Sequence, residues 1–449
     1  MTRTAWAPFV KQAAKGNPKL PRRLQLAAVF VPVLLTAWFV FHFTVELPFQ
    51  DAWNMVPMVR HMQEGGLQWA DIYRIHNGNR VATYQAIALL LAKATRYNVL
   101  AEFYLSYGCL AASVMVLYAF FVRLQKTTPA PTIAFLPVVI LYLNWRGNEA
   151  MMGGICLDNQ LEPMFFLLAI WCCLQVPERG RFLAPAIAFA VLGTFSETQG
   201  LMSWPIGLAI LLFHREHHIG RQIQIWFAAT IVCVAVYFYN YTTFEVPWPN
   251  GIGYVLQNKH DAGVYSFIYA GSALGATPSQ AAWYGIALTV LLLPVAWYIL
   301  RDRETWSALL PFAAVFLSTA LLLGPLLSNR LGLGVEQAFG ATRYMQMEAW
   351  WPIFAYIAIL VLSYRYRIWR WILRLAVLVL CACTYASYSA GVRLARDVHS
   401  RQVACQAVLR NFRSESDQAV TCYFPDPSLG RRWAFDLEQL HLSVFRNEK

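Results

Sequence analysis

The chain has 449 residues, of which 58% are hydrophobic and only 13% are charged. A soluble domain carries about 25% charged residues, so this composition excludes an ordinary soluble protein. The net charge of +12 would suit nucleic-acid binding. The Lys and Arg residues instead gather at the ends of apolar segments on alternate sides, as the positive-inside rule of membrane proteins requires. Membrane lipid is therefore the expected surroundings, and nucleic acid is not an expected partner.

Apolar segments recur along the whole chain and predict an all-α, polytopic membrane protein with about eleven transmembrane helices. The predicted spans are 24–45, 99–122, 132–144, 156–176, 182–196, 200–213, 222–241, 280–300, 305–323, 344–363 and 372–391. Six Lys/Arg precede the first span, which is too long for a signal-peptide core, so we expect a retained helix that starts in the cytoplasm. Residues 1–391 then form a transmembrane domain, and the tail 392–449 lies outside.

The first outer loop, 46–98, is expected to contain a short amphipathic piece at 53–64 and an interfacial helix at 81–96. A second interfacial helix is expected at 263–276. Asp51 follows the first span closely, where a carboxylate can act as a general base toward a hydroxyl group. The same residue would also serve as a helix N-cap, and both roles are compatible with the pattern.

Two further residues of this loop suit phosphate chemistry. His76 and Arg80 are four residues apart and would share one face of the interfacial helix if it began early enough. Arg binds phosphate through two parallel hydrogen bonds, and His donates to a leaving oxygen. Simple anchoring at the membrane interface is the alternative explanation for Arg80.

Other polar candidates lie at the outer ends of later helices. Asp158 and Glu162 are one helical turn apart, but no third ligand stands at a metal-binding spacing, so no metal site is predicted. Glu197 lies at the tip of an outer hairpin. It is either an exposed turn residue or a residue that faces a central cavity. Arg343 lies where the phosphate of a membrane lipid would be, although interfacial snorkelling also accounts for it.

Cys405 and Cys422 differ from the other seven cysteines because they lie in the polar tail, with sixteen residues between them. The other seven lie in or beside apolar segments, where thiols are usually inert. If the tail is in an oxidising compartment, a disulfide between Cys405 and Cys422 is expected.

The order of these features resembles the integral-membrane glycosyltransferases of the GT-C superfamily, and most closely a group of bacterial membrane proteins of that architecture. That group's pattern is Asp-Asp-Trp, His-Asn-Glu-His-Arg, an Asn/Glu-Asn-Trp-type segment, Phe-Ser-x-x-Asn-Gly and Ser-Arg-Tyr. The corresponding segments here are Gln50-Asp51-Ala52-Trp53, His76-Asn77-Gly78-Asn79-Arg80, Asn148-Glu149, Phe195-Ser196-Glu197-Thr198-Gln199-Gly200 and Thr342-Arg343-Tyr344. Gln50 replaces the first acid and Asn79 the second histidine, which argues against a mechanism with two acids or two histidines in this loop.

The resemblance implies a cofactor-free glycosyltransferase in the bacterial inner membrane, with its active site facing the periplasm. The donor would be a sugar on polyprenyl phosphate, and the acceptor a hydroxyl group of a glycan, a lipid or a surface protein such as pilin. Asp51 would be the catalytic base, and Arg343, Arg80 and His76 would bind the donor phosphate. The residues expected to contact the substrates are Trp53, Asn77, Glu149, Glu197 and Tyr344.

Two other classes of function are compatible with the sequence. One is a transporter or flippase of a lipid-linked sugar, and the other is a non-catalytic membrane assembly factor. The predicted helices carry few charges at mid-depth, which disfavours ion-coupled transport.

Overall fold

The computed structural model describes residues 21–153, 156–214, 219–242 and 246–446, and this part of the chain is almost entirely helical. The α-helices are α1 Arg22–Phe43, α2 Met55–Gln63, α3 Trp69–Tyr73, α4 Ala82–Thr95, α5 Val99–Gln125, α6 Leu136–Tyr142, α7 Asn148–Met152, α8 Asp158–Gln175, α9 Leu183–Thr194, α10 Ser203–Phe213, α11 Gly220–Phe238, α12 Ile252–Gln257, α13 Lys259–Gly271, α14 Pro278–Arg301, α15 Arg303–Arg330, α16 Gln337–Gly340, α17 Met345–Glu348, α18 Trp350–Arg365, α19 Arg367–Arg410, α20 Asp417–Val420 and α21 Pro427–Gln439. Short 3-10 helices span Gln50–Asn54, Thr132–Phe135, Gly180–Phe182, Thr198–Met202, Leu331–Leu333, Thr342–Tyr344 and Ser443–Phe445. The strands are β1 Ile75–His76 and β2 Asn79–Arg80. The basic N-terminal segment before residue 21 and the basic turn at 215–218 lie outside the described residues.

Seven helical segments of the described chain are long and apolar enough to cross a membrane. They are Arg22–Phe43, Val99–Gln125, Gly220–Phe238, Pro278–Arg301, Arg303–Leu333, Thr342–Arg365 and Arg367–Arg410. Large apolar side chains on their outer surfaces, such as Leu34 and Trp283, are 70% exposed, as contact with lipid would require. The prediction of an α-helical protein embedded in a membrane is therefore confirmed.

The count of eleven spans is not confirmed. The other four predicted spans are helical, but they correspond to α8 and to three shorter apolar segments, Thr132–Tyr142, Gly180–Thr194 and Thr198–Phe213. The short segments are 10–17 residues long, and a bilayer core of about 30 Å needs about 20 helical residues. Helix α18 packs mainly against α6, α14, α15 and α19, and 89% of its apolar span is buried.

The first outer loop contains a β-hairpin where the sequence suggested the start of a helix. β1 pairs with β2 in an antiparallel register that sets Ile75 opposite Arg80 and His76 opposite Asn79. Asn77 and Gly78 form the two-residue turn with φ of +49° and +78°, the positive values of a type I′ turn. Helix α4 begins only at Ala82. The expectation that His76 and Arg80 share one helical face is therefore wrong.

Helix α19 continues without a break to Arg410, so the first part of the predicted tail 392–449 is helical. Its 44 residues extend over about 66 Å, far more than a bilayer core. The chain then turns back onto the first outer loop, where Arg60 forms an ion pair of 2.6 Å with Asp436. Tail and loop thus pack against each other.

Candidate functional site

Asp51 lies in the 3-10 helix Gln50–Asn54, and its carboxylate is partly exposed. Its Oδ2 accepts a hydrogen bond of 3.1 Å from Nδ2 of Asn77 and lies 3.8 Å from Nε2 of His76. No backbone N–H of the described residues donates to this carboxylate, so the N-cap explanation finds no support. His76 holds the pKa of Asp51 below its ordinary value, burial opposes this, and the charge of Arg343 adds to the lowering. The carboxylate is therefore ionised at neutral pH and free to accept a proton.

The hairpin turn brings His76 and Asn77 to Asp51. Type I′ and II′ turns match the twist of a two-residue hairpin, and type I′ needs positive φ at both central residues, for which Asn-Gly is the preferred pair. The tip is held by the hydroxyl of Tyr241, which donates to the carbonyl of Gly78 at 2.6 Å. Asp51 and the pair His76-Asn77, which belong to two separate motifs in the sequence, thus form one group.

Arg343 and Glu149 form the second group of the site. Nη1 of Arg343 lies 3.1 Å from Oε1 of Glu149, and the Arg343 backbone N–H donates to Oε2 at 3.4 Å. Beside them, the Thr342 hydroxyl donates to Oδ1 of Asn148 at 3.4 Å. The Arg343 side chain is 29% exposed, and its guanidinium carbon lies 5.3 Å from the centre of the Tyr344 ring. The ion pair of Arg343 with Glu149 is therefore formed, and both side chains remain partly exposed to solvent.

A buried arginine keeps these two segments together. Arg146 donates to the carbonyls of Ser272 and Phe339, each at 2.9 Å, and lies 3.7 Å from a carboxylate oxygen of Glu348. Removing one partner of such a buried ion pair leaves the other charge uncompensated, which strongly destabilises a fold. Arg146 thereby fixes the chain just before Glu149 against the chain on both sides of Arg343.

Glu197 connects the hairpin to the Arg343 group. The N–H of the next residue, Thr198, donates to Oδ1 of Asn79 at 3.3 Å, and the Thr198 hydroxyl bonds the same oxygen. Burial raises the pKa of Glu197 to about 7, while the charges of Arg343 and Arg330 act in the opposite direction. Glu197 thus shares one electrostatic environment with Arg343, as Asp51 does. Arg330 was not predicted as a site residue, because the sequence distinguishes it only by its position at the end of an apolar helix.

Arg80 is buried, and its guanidinium contacts backbone carbonyls instead of the residues of this group. Its guanidinium donates to the carbonyls of Tyr73, Tyr237 and Tyr239, at 2.8 Å for Tyr73, and its carbon Cζ lies 4.1 Å from the centre of the Tyr73 ring. The residue is 3% exposed. All of these contacts are structural, and they hold the hairpin against the end of helix α11. We therefore leave Arg80 out of the phosphate contact.

Trp53 also has a structural position. It is fully buried, and its ring stacks on Tyr423 at 5.2 Å and on Trp433 at 6.3 Å between ring centres. It attaches the first outer loop to the tail instead of facing the partly exposed residues Asp51 and Arg343. The substrate contact expected of Trp53 therefore has no geometric basis in this structure.

A cavity of about 660 Å³ is lined by Glu149 and by sequence neighbours of Asp51 and Arg343. Its lining is mainly apolar and includes Phe49 and Gln50, next to Asp51, and Glu149 and Thr342, next to Arg343. The opposite wall comes from the last third of helix α19 and from the tail, and the lining residues there are Leu394, Val398, Arg401, Gln402, Ala404, Cys405 and Cys422. The cavity can accommodate hydrocarbon close to the charged residues.

Cys405 and Cys422 meet in this wall as a pair, with their Cα atoms 5.7 Å apart. That separation lies within the range of disulfides. The geometry accommodates the expected bond, which stays a prediction until the thiols are measured. No group of three or more His, Cys, Asp or Glu side chains is arranged to bind a metal ion within the described part of the chain.

Comparison with protein-family models, curated proteins and solved structures found no match to this chain.

Proposed function

We propose that the protein is an extracytoplasmic glycosyltransferase that moves a sugar from a polyprenyl-phosphate donor to a hydroxyl group of a glycan, lipid or surface protein. The observation that carries the proposal is the arrangement of Asp51 and Arg343. One is an ionised, partly exposed carboxylate, and the other is an accessible guanidinium whose charge is felt by that carboxylate. Glycosyl transfer from a phosphate donor needs both, a base for the acceptor and a cation for the leaving group.

The reaction is a single displacement at the anomeric carbon of the donor sugar. Asp51 accepts the proton of the acceptor hydroxyl as the oxygen forms its bond to that carbon. The bond from the carbon to the phosphate oxygen breaks, and polyprenyl phosphate leaves with the electron pair. Arg343 stabilises the additional negative charge on the phosphate, and Asn77 and His76 hold the Asp51 carboxylate in position.

The ion pair of Arg343 with Glu149 makes donor binding an exchange of anions. The donor phosphate replaces one contact of Glu149, which keeps its second contact to the backbone N–H of Arg343. Glu149 therefore preorganises Arg343 before the donor arrives. Preorganised cations are effective in catalysis because they need no rearrangement during the reaction.

The membrane surroundings support a lipid-linked donor. Seven helices can cross a bilayer, and the apolar cavity beside Gln50 and Glu149 offers space for hydrocarbon. The resemblance of the ordered motifs to GT-C glycosyltransferases points to the same chemistry. It also suggests a bacterial inner membrane with the site facing the periplasm, which agrees with the distribution of Lys and Arg.

Reconstituted vesicles test the proposal against a flippase. The purified protein in sealed vesicles receives a panel of polyprenyl-phosphate hexoses and pentoses, and membranes from a strain lacking the gene supply the acceptor. The proposal predicts that one donor is consumed, with release of polyprenyl phosphate and labelling of the acceptor. Movement of a donor across the bilayer without its consumption would contradict the proposal and support the flippase.

A further inference from the structure

Arg330 is a cation that the mechanism above does not use. It ends helix α15, is partly exposed, and its Cζ lies 5.7 Å from the centre of the Trp248 ring. It forms no ion pair with a carboxylate within the part of the chain that the structure describes. Arg343, by comparison, is compensated by Glu149. Arg330 therefore contributes net positive charge at the outer end of the helices.

The chain between the two arginines is a compact, packed connection. Leu331 follows Arg330, Tyr344 follows Arg343, and both belong to one small apolar cluster with Tyr265. The turn passes through Gly334, whose φ of +97° strongly favours glycine. Packing of the residues next to both arginines into one cluster fixes the backbone positions from which the two side chains extend.

A second loop holds Arg330 from the other side. Nε1 of Trp248 donates to the carbonyl of Asn329 at 2.8 Å, and the N–H of Gly251 donates to the carbonyl of Ser328 at the same distance. A Cβ on Gly332 would lie 2.0 Å from the carbonyl oxygen of Pro249, so only glycine allows this close approach. Helix α15 is thus clamped at its end, and Arg330 is held beside an aromatic ring.

The two arginines act on the same space. Burial raises the pKa of Glu197, and the charges of both Arg343 and Arg330 oppose it. Burial likewise raises the pKa of Tyr265, and the same two arginines oppose that effect. Because the charges of Arg330 and Arg343 affect the pKa of both Glu197 and Tyr265, these two residues lie within the electrostatic field of both arginines. The region between Arg330, Arg343 and Glu197 is therefore a place where an anion gains from two positive charges.

We propose that Arg330 is the second phosphate-binding residue of the site and that the ligand held between Arg330 and Arg343 is the phosphate of an anionic lipid. Arg330 attracts the phosphate because it forms no ion pair with a carboxylate of the described residues, and Arg343 then contacts the phosphate by exchange with Glu149. The proposal deepens the proposed function, since it concerns the same site, but it describes binding and does not require sugar transfer.

The test measures lipid binding in nanodiscs with two probes, undecaprenyl phosphate and uncharged undecaprenol. Arg330→Gln should weaken the binding of undecaprenyl phosphate about tenfold or more, the loss expected for a hydrogen bond to a charged group. Binding of undecaprenol should not change. Arg301→Gln is the matched control, because Arg301 also lies over a tryptophan ring, that of Trp297 at 3.7 Å, but is remote in sequence from the site.

Three results overturn the proposal: equal affinity of the parent and Arg330→Gln for undecaprenyl phosphate, equal losses for both probes, or no binding of undecaprenyl phosphate by the parent. If Arg330→Gln does not fold, Arg330→Met keeps the apolar stem and is measured in its place with the same expectation. Phosphate-dependent binding without any transfer of sugar would refute the proposed function and leave this inference standing.

Discussion

Substitution of Arg80 by Lys separates the structural role of this residue from the phosphate-binding role that its sequence position suggests. The guanidinium donates to three backbone carbonyls, those of Tyr73, Tyr237 and Tyr239. A lysine ammonium is more compact and lacks the planar fork, so we expect it to reach one of the three. Two of the three carbonyls then lose their partner. The bond to Tyr237 is buried and the bonds to Tyr73 and Tyr239 are partly buried, so the loss costs about 1–3 kcal/mol for a buried carbonyl and less for a partly exposed one.

The assay combines limited proteolysis of the first outer loop with donor binding by the intact fraction. We expect Arg80→Lys to accelerate cleavage of the loop and to leave the affinity for the donor unchanged. Arg74→Lys is the control, because Arg74 lies in the same loop and donates to a single exposed carbonyl, that of Asn54 at 3.1 Å. Normal protease resistance of Arg80→Lys together with weaker donor binding would refute this reasoning and restore Arg80 to the phosphate contact.

Three further predictions concern the site and its wall. Arg343→Lys should lower sugar transfer at least about tenfold, because Lys keeps the charge but cannot bind phosphate through two parallel hydrogen bonds; unchanged transfer would favour interfacial snorkelling. Cys405 and Cys422 should resist thiol labelling in the denatured, unreduced protein, and their bond should contribute about 3 kcal/mol to the free energy of unfolding; free thiols would contradict both the bond and an outer tail. Because the pKa of Glu197 is raised to about 7, its carboxylate gains charge as pH rises through 7 and then competes for Arg343 and Arg330. Donor binding should therefore be strongest below pH 7, and Glu197→Gln should remove this dependence; an unchanged pH profile in that variant would exclude Glu197 as the titrating group.

Hydropathy predicted the membrane-embedded helical fold, because a span needs a long apolar segment and little else. It could not settle the number of spans, since α8 and the three short apolar helices are helical without the length or hydropathy of a full span. It also placed the end of the last span at 391. Helix α19 continues to Arg410, and its polar end contacts the first outer loop, where Gln406 donates to the carbonyl of Glu46 at 2.8 Å.

The sequence contained the signal for the hairpin, since Asn77-Gly78 is the preferred type I′ pair. The helical interpretation ignored this pair and so placed His76 and Arg80 on one face. The role of Arg80 could not be predicted, because its carbonyl partners at Tyr237 and Tyr239 lie 157 and 159 positions away. The pairing of Arg343 with Glu149, 194 positions apart, was likewise beyond local patterns.

The catalytic claim rests on Asp51, and Asp51→Asn is its most direct test. Asn keeps the shape of the side chain and an oxygen that accepts from Asn77, but it cannot accept a proton from the acceptor. Asp71→Asn is the control, because Asp71 lies in the same loop and accepts from the backbone N–H of Gln68 at 2.9 Å.

The measurement is sugar transferred per unit of membrane-inserted protein. The account predicts that Asp51→Asn inserts normally and loses about 10² to 10⁴ in rate, as expected for a lost general base, while Asp71→Asn stays active. Transfer by Asp51→Asn at the rate of the parent protein would contradict the account.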